Sequence, residues 1–234
     1  SMLSMFGIWT FVLAIITVKT LRLDYAILTG FALGGAWLTK SPALFFTLLL
    51  PTVLILADWK GGWKLKLIHL LKLGFLFFVS CFLSQVIFNI LRLGPNFHLL
   101  TSRNMDYVTP INHILIRPLD PLMPHIKDIL DWYTRLGTKP ILLLFLVGLF
   151  FGLKKRTKEV FLVLLWLFIP LLIQAEYAKV FTARYILFSL PFFLIVATSW
   201  LWAKSKLLHL FFGLVVILVL ILSFRQDYLF LTNP

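Results

Sequence analysis

LLHLFFGLVVILVLILSF, residues 207–224, is a run of eighteen residues without Asp, Glu, Lys or Arg. A stretch of this length and composition is what an α-helix needs to cross the hydrocarbon core of a bilayer. Its middle, Leu214–Leu222, is continuously apolar and so lacks the alternation that a strand of a membrane β-barrel requires. The run therefore predicts a transmembrane helix.

The rest of the chain has the same character, with 61% hydrophobic and 13% charged residues. A soluble domain carries roughly 25% charged residues, so the solvent around this chain is expected to be lipid. The sequence predicts an all-α, polytopic transmembrane helical bundle that forms a single membrane domain over residues 1–234. The eight apolar segments that predict its helices are Met2–Val18, Tyr25–Thr39, Pro42–Ala57, Leu67–Leu91, Pro140–Leu153, Val160–Ile173, Tyr185–Trp202 and Leu207–Phe224.

The basic residues predict the orientation of the bundle. The net charge is +13, from 22 Lys and Arg against 9 Asp and Glu. Nucleic-acid binding is disfavoured, because these residues cluster in short loops between apolar runs, which marks cytoplasmic loops instead. If every segment crosses once, four basic loops share the cytoplasmic face, namely those holding Lys19 and Arg22; Lys60, Lys64 and Lys66; Lys154, Lys155, Arg156 and Lys158; and Lys204 and Lys206. The extracytoplasmic face then receives Lys40 and residues 92–139, 174–184 and 225–234.

The extracytoplasmic loop 92–139 contains a predicted helix over residues 121–136. Asp120 and Pro121 are a typical helix start, and Gly137 is a typical stop. Asp131 and Arg135 are four residues apart and are expected to pair. The apolar residues that recur at helical spacing are Leu122, Ile126, Ile129, Leu130 and Tyr133. The helix either lies on the outer membrane surface or packs on the bundle.

The elbow around Lys40 is the first candidate binding site. Segment 25–39 covers only about 22 Å as a helix, against about 30 Å of hydrocarbon, so the elbow is expected in a recess. Ser41 as N-cap and Pro42 as first residue would start the next helix and leave backbone N–H groups free beside the Lys40 ammonium. Such a site suits the phosphate of a lipid carrier. The alternative is a tight turn with a snorkelling lysine.

The loop 174–184 is the second candidate. Arg184 can hold a phosphate in a bidentate manner, or it can act with Tyr185 as an interfacial anchor. Glu176 is the only acid of this loop, and pairing with Lys179 is favoured over metal binding.

A third candidate region holds His98, Arg103, Asp106 and Tyr107, whose polar side chains can bind a sugar or a phosphate. No metal-ligand spacing occurs there. The sequence also lacks phosphate-binding glycine-rich loops, nucleophile elbows and a pair of acids within an apolar segment, which disfavours proton-coupled transport. The single cysteine, Cys81, excludes an intrachain disulfide.

The stretch LGGAWLTKSP, residues 33–42, resembles the GT-C membrane glycosyltransferases of family 39, the group of dolichyl-phosphate-mannose protein mannosyltransferases and bacterial aminoarabinose transferases. Ser41 stands where that group usually has glycine, and Pro51 fits its mid-helix proline. RLGPNFH, residues 92–98, with Arg103, Asp106 and Tyr107, and TARY, residues 182–185, followed by Pro191, are similar to bacterial members.

The resemblance implies a polyprenyl-phosphate-linked sugar as donor and transfer on the outer face of a bacterial plasma membrane. It also implies a catalytic acid in the first outer loop, which is expected upstream of Ser1. The chain opens at Ser1 without a start methionine and ends at Asn233 and Pro234 without a polar tail, so it is expected to be truncated at both ends. No catalytic residue is assigned within it. The rival interpretation is a flippase or transporter of lipid-linked oligosaccharides. The sugar, the acceptor and a divalent metal in the intact enzyme stay open.

Overall fold

The computed structural model describes residues 1–99, 102, 109–177 and 181–232, and within them all regular structure is helical. The α-helices are α1 (Met2–Thr20), α2 (Leu23–Thr39), α3 (Ala43–Leu49), α4 (Trp63–Asn89), α5 (Ile111–Ile116), α6 (Leu122–Gly137), α7 (Lys139–Lys155), α8 (Thr157–Tyr177), α9 (Leu190–Ala197) and α10 (Lys206–Thr232). Segments of 3-10 helix cover Leu50–Leu56, Ile90–Leu93, Ala183–Tyr185 and Ser199–Trp202. The predicted all-helical fold is confirmed for these residues.

Four helices are long and apolar enough to cross a membrane, and this agrees with a membrane protein. They are α1, α4 with the 3-10 segment that follows it, α8 and α10. The other predicted segments differ from simple spans. Ala43–Leu56 and Leu190–Trp202 are shorter apolar helices, and α7 is bent by 106° from α6, so that the pair makes at most one further span. The prediction of eight crossing segments is thus supported only in part.

Three prolines have different effects on their helices. Pro51 lies at the second residue of the 3-10 segment that continues α3, where the missing N–H ends the α-helical pattern. Pro170 lies inside α8, and the side-chain amide of Gln174 donates a hydrogen bond to the Pro170 carbonyl oxygen at 3.2 Å. Pro191 lies within the predicted segment Tyr185–Trp202, but α9 begins only at Leu190, which makes Pro191 a helix-start residue.

The core is a cluster of aromatic rings from four helices. Trp166 of α8 is fully buried and contacts Phe11, Phe46 and Phe192, with ring centroids 5.0, 5.8 and 6.0 Å away. The indole N–H of Trp166 donates to the Thr52 hydroxyl at 3.1 Å. Helices α1, α3, α8 and α9 therefore meet at one point, and the buried indole has a hydrogen-bond partner, as apolar surroundings require.

Helix α2 packs between α1 and α4 through small residues. The Ser80 hydroxyl donates to the carbonyl oxygen of Ala26 at 2.8 Å, and Thr17 and Thr29 hydroxyls lie 3.4 Å apart. An added Cβ on Gly30 would lie 2.9 Å from the Ser80 carbonyl oxygen. Close approach of backbones through small side chains is how helices associate in lipid.

The basic loops lie together at one end of the bundle. The Lys19 ammonium is 3.8 Å from the Asp58 carboxylate, which joins the first two basic loops. A cavity of about 310 Å³ is lined by Lys19, Leu56, Glu159 and Trp202, which lie in the helical segments next to the four connections. We call this the basic end, and the end that holds Lys40, α6 and the residues after α8 the opposite end. The position of the basic end relative to a cytosol stays a prediction.

Helix α6 packs on the bundle mainly with the predicted face. Ile129 and Tyr133 are buried together with His125, whereas the side chain of Leu130, which was predicted on the same face, is 53% exposed. The helix begins at Leu122, and no side-chain hydrogen bond from Asp120 caps it. The Tyr133 hydroxyl is 2.5 Å from the Ser189 hydroxyl, and burial raises the pKa of Tyr133 well above its ordinary value.

The predicted pair on the exposed side of α6 is confirmed. The Arg135 Nε is 2.7 Å from an Asp131 carboxylate oxygen, and the guanidinium lies 5.5 Å from the Trp132 ring centroid. These contacts fix the Arg135 side chain at the end of α6, next to the bend into α7.

Candidate functional site

The Lys40 elbow is an extended residue between two helices. Lys40 has φ −161° and ψ 149°, and its N–H donates to the Ala36 carbonyl oxygen at 3.2 Å. The Thr39 hydroxyl donates to the same oxygen at 2.7 Å, so this carbonyl closes the end of α2. Lys40 and Ser41 are exposed at the opposite end of the bundle. The chain therefore presents the Lys40 side chain at the surface of the bundle.

The free backbone N–H groups expected after the elbow are absent from the described turn. The N–H groups of residues 43, 44 and 45 donate to the carbonyl oxygens of residues 40, 41 and 42 at 3.1, 3.0 and 3.0 Å. Helix α3 begins at Ala43, one residue after the predicted first helical residue Pro42. The turn satisfies its own donors through i to i+3 bonds, because Pro42 favours a tight turn there. Anion binding at this elbow would rest on side chains.

The elbow is held by the residues on both sides of it. The Trp37 indole N–H donates to the Thr47 hydroxyl at 3.0 Å across the elbow, and the Trp37 ring packs on Phe88 of α4 at 4.9 Å. An added Cβ on Gly34 would lie 2.6 Å from an Ile87 methyl group. Lys40 thus projects from a backbone that neighbouring helices fix in place.

Arg184 is a second cation at this end of the bundle, and Tyr185 holds it in a short 3-10 turn. The Arg184 guanidinium lies 5.2 Å from the Tyr185 ring centroid, and one of its nitrogens is 3.4 Å from the phenol oxygen. Tyr185 packs in turn on the buried ring of Phe181 at 5.6 Å. The aromatic pair holds the exposed guanidinium plane at the surface, where it can bind an anion in a bidentate manner.

His125 joins α6 to the end of α8 and was not assigned a role from the sequence. Its Nδ1 donates to the carbonyl oxygen of Ala175 at 2.6 Å, and its ring packs on Phe181 at 5.2 Å. The only signal in the sequence was the i, i+4, i+8 spacing of His125, Ile129 and Tyr133. Their contacts bring α6 beside the loop of Glu176 and Arg184.

Glu176 has a buried carboxylate oxygen without a partner among the residues that the structure describes. Its Oε2 is shielded from solvent and forms no hydrogen bond with a described residue, and the Thr182 hydroxyl nearby in sequence is in the same state. Lys179, the predicted partner of Glu176, lies outside the described residues. A carboxylate held in this way can accept a proton or a hydrogen bond from a ligand hydroxyl.

The core brings the elbow and the Arg184 loop to the same end of the bundle. The Ser4 hydroxyl donates to the Leu187 carbonyl oxygen at 2.7 Å, and Phe46 packs on Phe188 at 6.1 Å. These contacts link the residues after Arg184 to the start of α1 and to α3. No hydrogen bond or ion pair within the described part of the chain joins Lys40 to Arg184.

The third predicted region is described only in part. His98 is exposed at the opposite end, whereas Arg103, Asp106 and Tyr107 lie outside the described residues. Among residues 1–99, 102, 109–177 and 181–232, no group of three or more His, Cys, Asp and Glu could hold a metal ion.

The fold and the site therefore define an all-helical protein with membrane-length apolar helices and with cations on two connections at one end. No family model, no curated protein and no solved structure matches this chain. The resemblance seen at residues 33–42, 92–107 and 182–191 rests on those residues alone.

Proposed function

We propose that the chain is a membrane glycosyltransferase of GT-C type that moves a sugar from a polyprenyl-phosphate carrier to an acceptor on the extracytoplasmic face. The observation that carries this proposal is that Lys40 and Arg184 lie at the same end of the bundle, opposite the end that holds the four basic loops. Both cations belong to stretches that resemble family 39 transferases, and both are exposed on connections fixed by buried rings. This is the arrangement that a lipid-linked phosphate at the outer interface requires.

In the proposed reaction, an acceptor oxygen attacks the anomeric carbon of the sugar. The bond between that carbon and the phosphate oxygen breaks, and the acceptor proton passes to a carboxylate. Negative charge grows on the departing polyprenyl phosphate. Lys40 and Arg184 stabilise this charge, and Tyr185 orients the guanidinium. The family resemblance implies that the catalytic base lies upstream of Ser1. Within this chain, Glu176 is the acidic residue nearest in sequence to the proposed phosphate contacts.

The test is a transfer assay on the gene product with labelled polyprenyl-phosphate sugars. Lys40→Ala and Arg184→Ala are each expected to lower kcat by about 10² to 10³, because each removes a donor to the charge that develops on the leaving group. Lys155→Ala is the matched control, since it removes an exposed lysine from the basic end. Unchanged turnover in both site variants, with normal insertion, would remove these residues from the mechanism.

The flippase interpretation gives a different result in the same membranes. A flippase moves labelled lipid-linked sugar between leaflets without an acceptor and forms no new glycosidic bond. Movement without transfer, lost in Lys40→Ala, would replace the transferase by the flippase.

The orientation has its own test in a Cys81→Ser background. Lys40→Cys is expected to react with a membrane-impermeant maleimide added outside the cell, and Lys155→Cys only after lysis. The reverse pattern would place the site in the cytosol and exclude a donor from the outer leaflet.

A further inference from the structure

A second group of cations lines a cavity of about 490 Å³ at the opposite end of the bundle. The cavity lies between the bend from α6 into α7 and the last turns of α10. Its charged lining consists of Asp131, Arg135, Lys139 and Arg225, and its apolar lining includes Leu222 and Leu229. Neither Lys40 nor Arg184 lines it, so it is separate from the site described above.

The cavity has an excess of positive charge. Asp131 is paired with Arg135, with its carboxylate oxygen 2.7 Å from the arginine Nε. Lys139 and Arg225 form no ion pair with any residue that the structure describes, so the two outnumber the acid. They come from α7 and α10, which are far apart in sequence, and only the fold brings them together.

The position of these cations is unusual for the predicted topology. Lysine and arginine are enriched on the cytoplasmic side of membrane proteins, and the opposite end is the predicted extracytoplasmic side. If Lys139 and Arg225 were only interfacial anchors, each side chain would extend separately into the lipid headgroups. Here both residues border one cavity with Arg135, which favours a common anionic ligand.

Thr138 gives an independent indication of a missing partner. Its side chain is 3% exposed and borders the same cavity, and its hydroxyl forms no hydrogen bond with a described residue. Buried hydroxyls in folded proteins are nearly always hydrogen-bonded. A ligand with acceptor oxygens would supply the bond.

The apolar part of the lining indicates that the anion is carried by a lipid. Helix α10 is the least packed of the membrane-length helices, with only 11% of its most apolar window buried in the bundle. Leu218 on this helix, one turn before Leu222, is 46% exposed. Hydrocarbon chains can therefore lie along α10 beside Leu222 and Leu218 while the headgroup enters the cavity.

We propose that this cavity binds the phosphate headgroup of an outer-leaflet lipid, with Arg135, Lys139 and Arg225 as its cationic contacts. Arginine offers paired donors to phosphate oxygens, and lysine adds a compact charge. The site goes beyond the proposed function, since it would operate whether the chain transfers a sugar or moves one.

The test measures lipid binding to the purified gene product in detergent by native mass spectrometry. Phosphatidylglycerol is the anionic probe and phosphatidylcholine the zwitterionic one. Lys139→Gln with Arg225→Gln is expected to weaken phosphatidylglycerol binding by about 25-fold, since each charge near an anionic headgroup contributes about fivefold. Phosphatidylcholine binding is expected to change by less than about twofold.

The matched control is Lys155→Gln with Lys206→Gln, which removes one charge from the other end of each of the same two helices. The control is expected to retain phosphatidylglycerol affinity. An equal loss in both double variants, or no loss in either, would overturn the site. Displacement of bound phosphatidylglycerol by millimolar inorganic phosphate would overturn the assignment to a lipid.

Discussion

Replacing Gly148 by alanine is expected to force apart two helices that the core depends on. Gly148 lies in the middle of α7, where its backbone faces the last turn of α9. A Cβ built there would collide with the Val196 carbonyl oxygen and lie 3.0 Å from the Ala197 carbonyl oxygen. Both obstacles are backbone atoms, so no side-chain rotation can relieve the overlap.

The magnitude follows from two opposing effects. Alanine in a helix is favoured over glycine by about 1 kcal/mol. Overpacking in a filled interior costs about 1–3 kcal/mol, and a collision with backbone belongs at the upper end of that range. The net loss in free energy of unfolding is therefore about 2 kcal/mol. For a chain of this size that corresponds to a fall of about 4–8 °C in Tm.

The assay is thermal unfolding in detergent micelles, followed by the fraction of protein that remains monodisperse after heating. Gly213→Ala is the control, because an added Cβ there meets nothing within 4 Å in a helix of the same kind. The control is expected to melt at the wild-type temperature or slightly above it. If Gly148→Ala melts no lower than Gly213→Ala, the close approach of α7 and α9 is refuted.

Three further substitutions have smaller expected effects in the same assay. In Gly35→Ala the added Cβ would lie 2.6 Å from a ring carbon of Phe6, but that half-buried ring can move. The free energy of unfolding is therefore expected to fall by about 1 kcal/mol or less. A fall as large as that of Gly148→Ala would contradict this. Tyr133→Phe removes the hydroxyl that contacts Ser189 and should cost about 1 kcal/mol; an unchanged Tm would mean that this buried bond contributes nothing. Thr138→Gly should raise stability by about 1 kcal/mol, because φ 66° and ψ 156° suit glycine alone, and a lower Tm would contradict the strain.

The helices were predictable from hydropathy because apolar runs in lipid must satisfy their own backbone hydrogen bonds. The predicted bounds stop short where helices continue into polar residues. For example, α7 includes Lys154 and Lys155, whose stems can lie along apolar surface while their charges reach water. The change from α to 3-10 helix after Leu49 is marked in the sequence by Pro51, but hydropathy does not show it, because apolar residues continue on both sides of the proline.

The candidate site was predictable in its residue types and only partly in its geometry. The sequence marks Lys40 and Arg184, since cations at the ends of apolar runs are conspicuous. It could not show that the N–H groups after the elbow bond to the turn itself, because this depends on backbone angles. Nor could it show the role of His125, whose partner Ala175 is fifty residues away in the chain.

The 3-10 segment after α3 affects how well this helix matches the thickness of a bilayer. A 3-10 helix rises about 2.0 Å per residue and an α-helix about 1.5 Å, so the fourteen residues of Ala43–Leu56 extend about 24 Å instead of about 21 Å. This length still falls short of a typical hydrocarbon core of about 30 Å. The 3-10 segment thus reduces the hydrophobic mismatch of this short helix by about 3 Å. The neighbouring membrane-length helices, against which most of its surface is buried, cover the remaining difference.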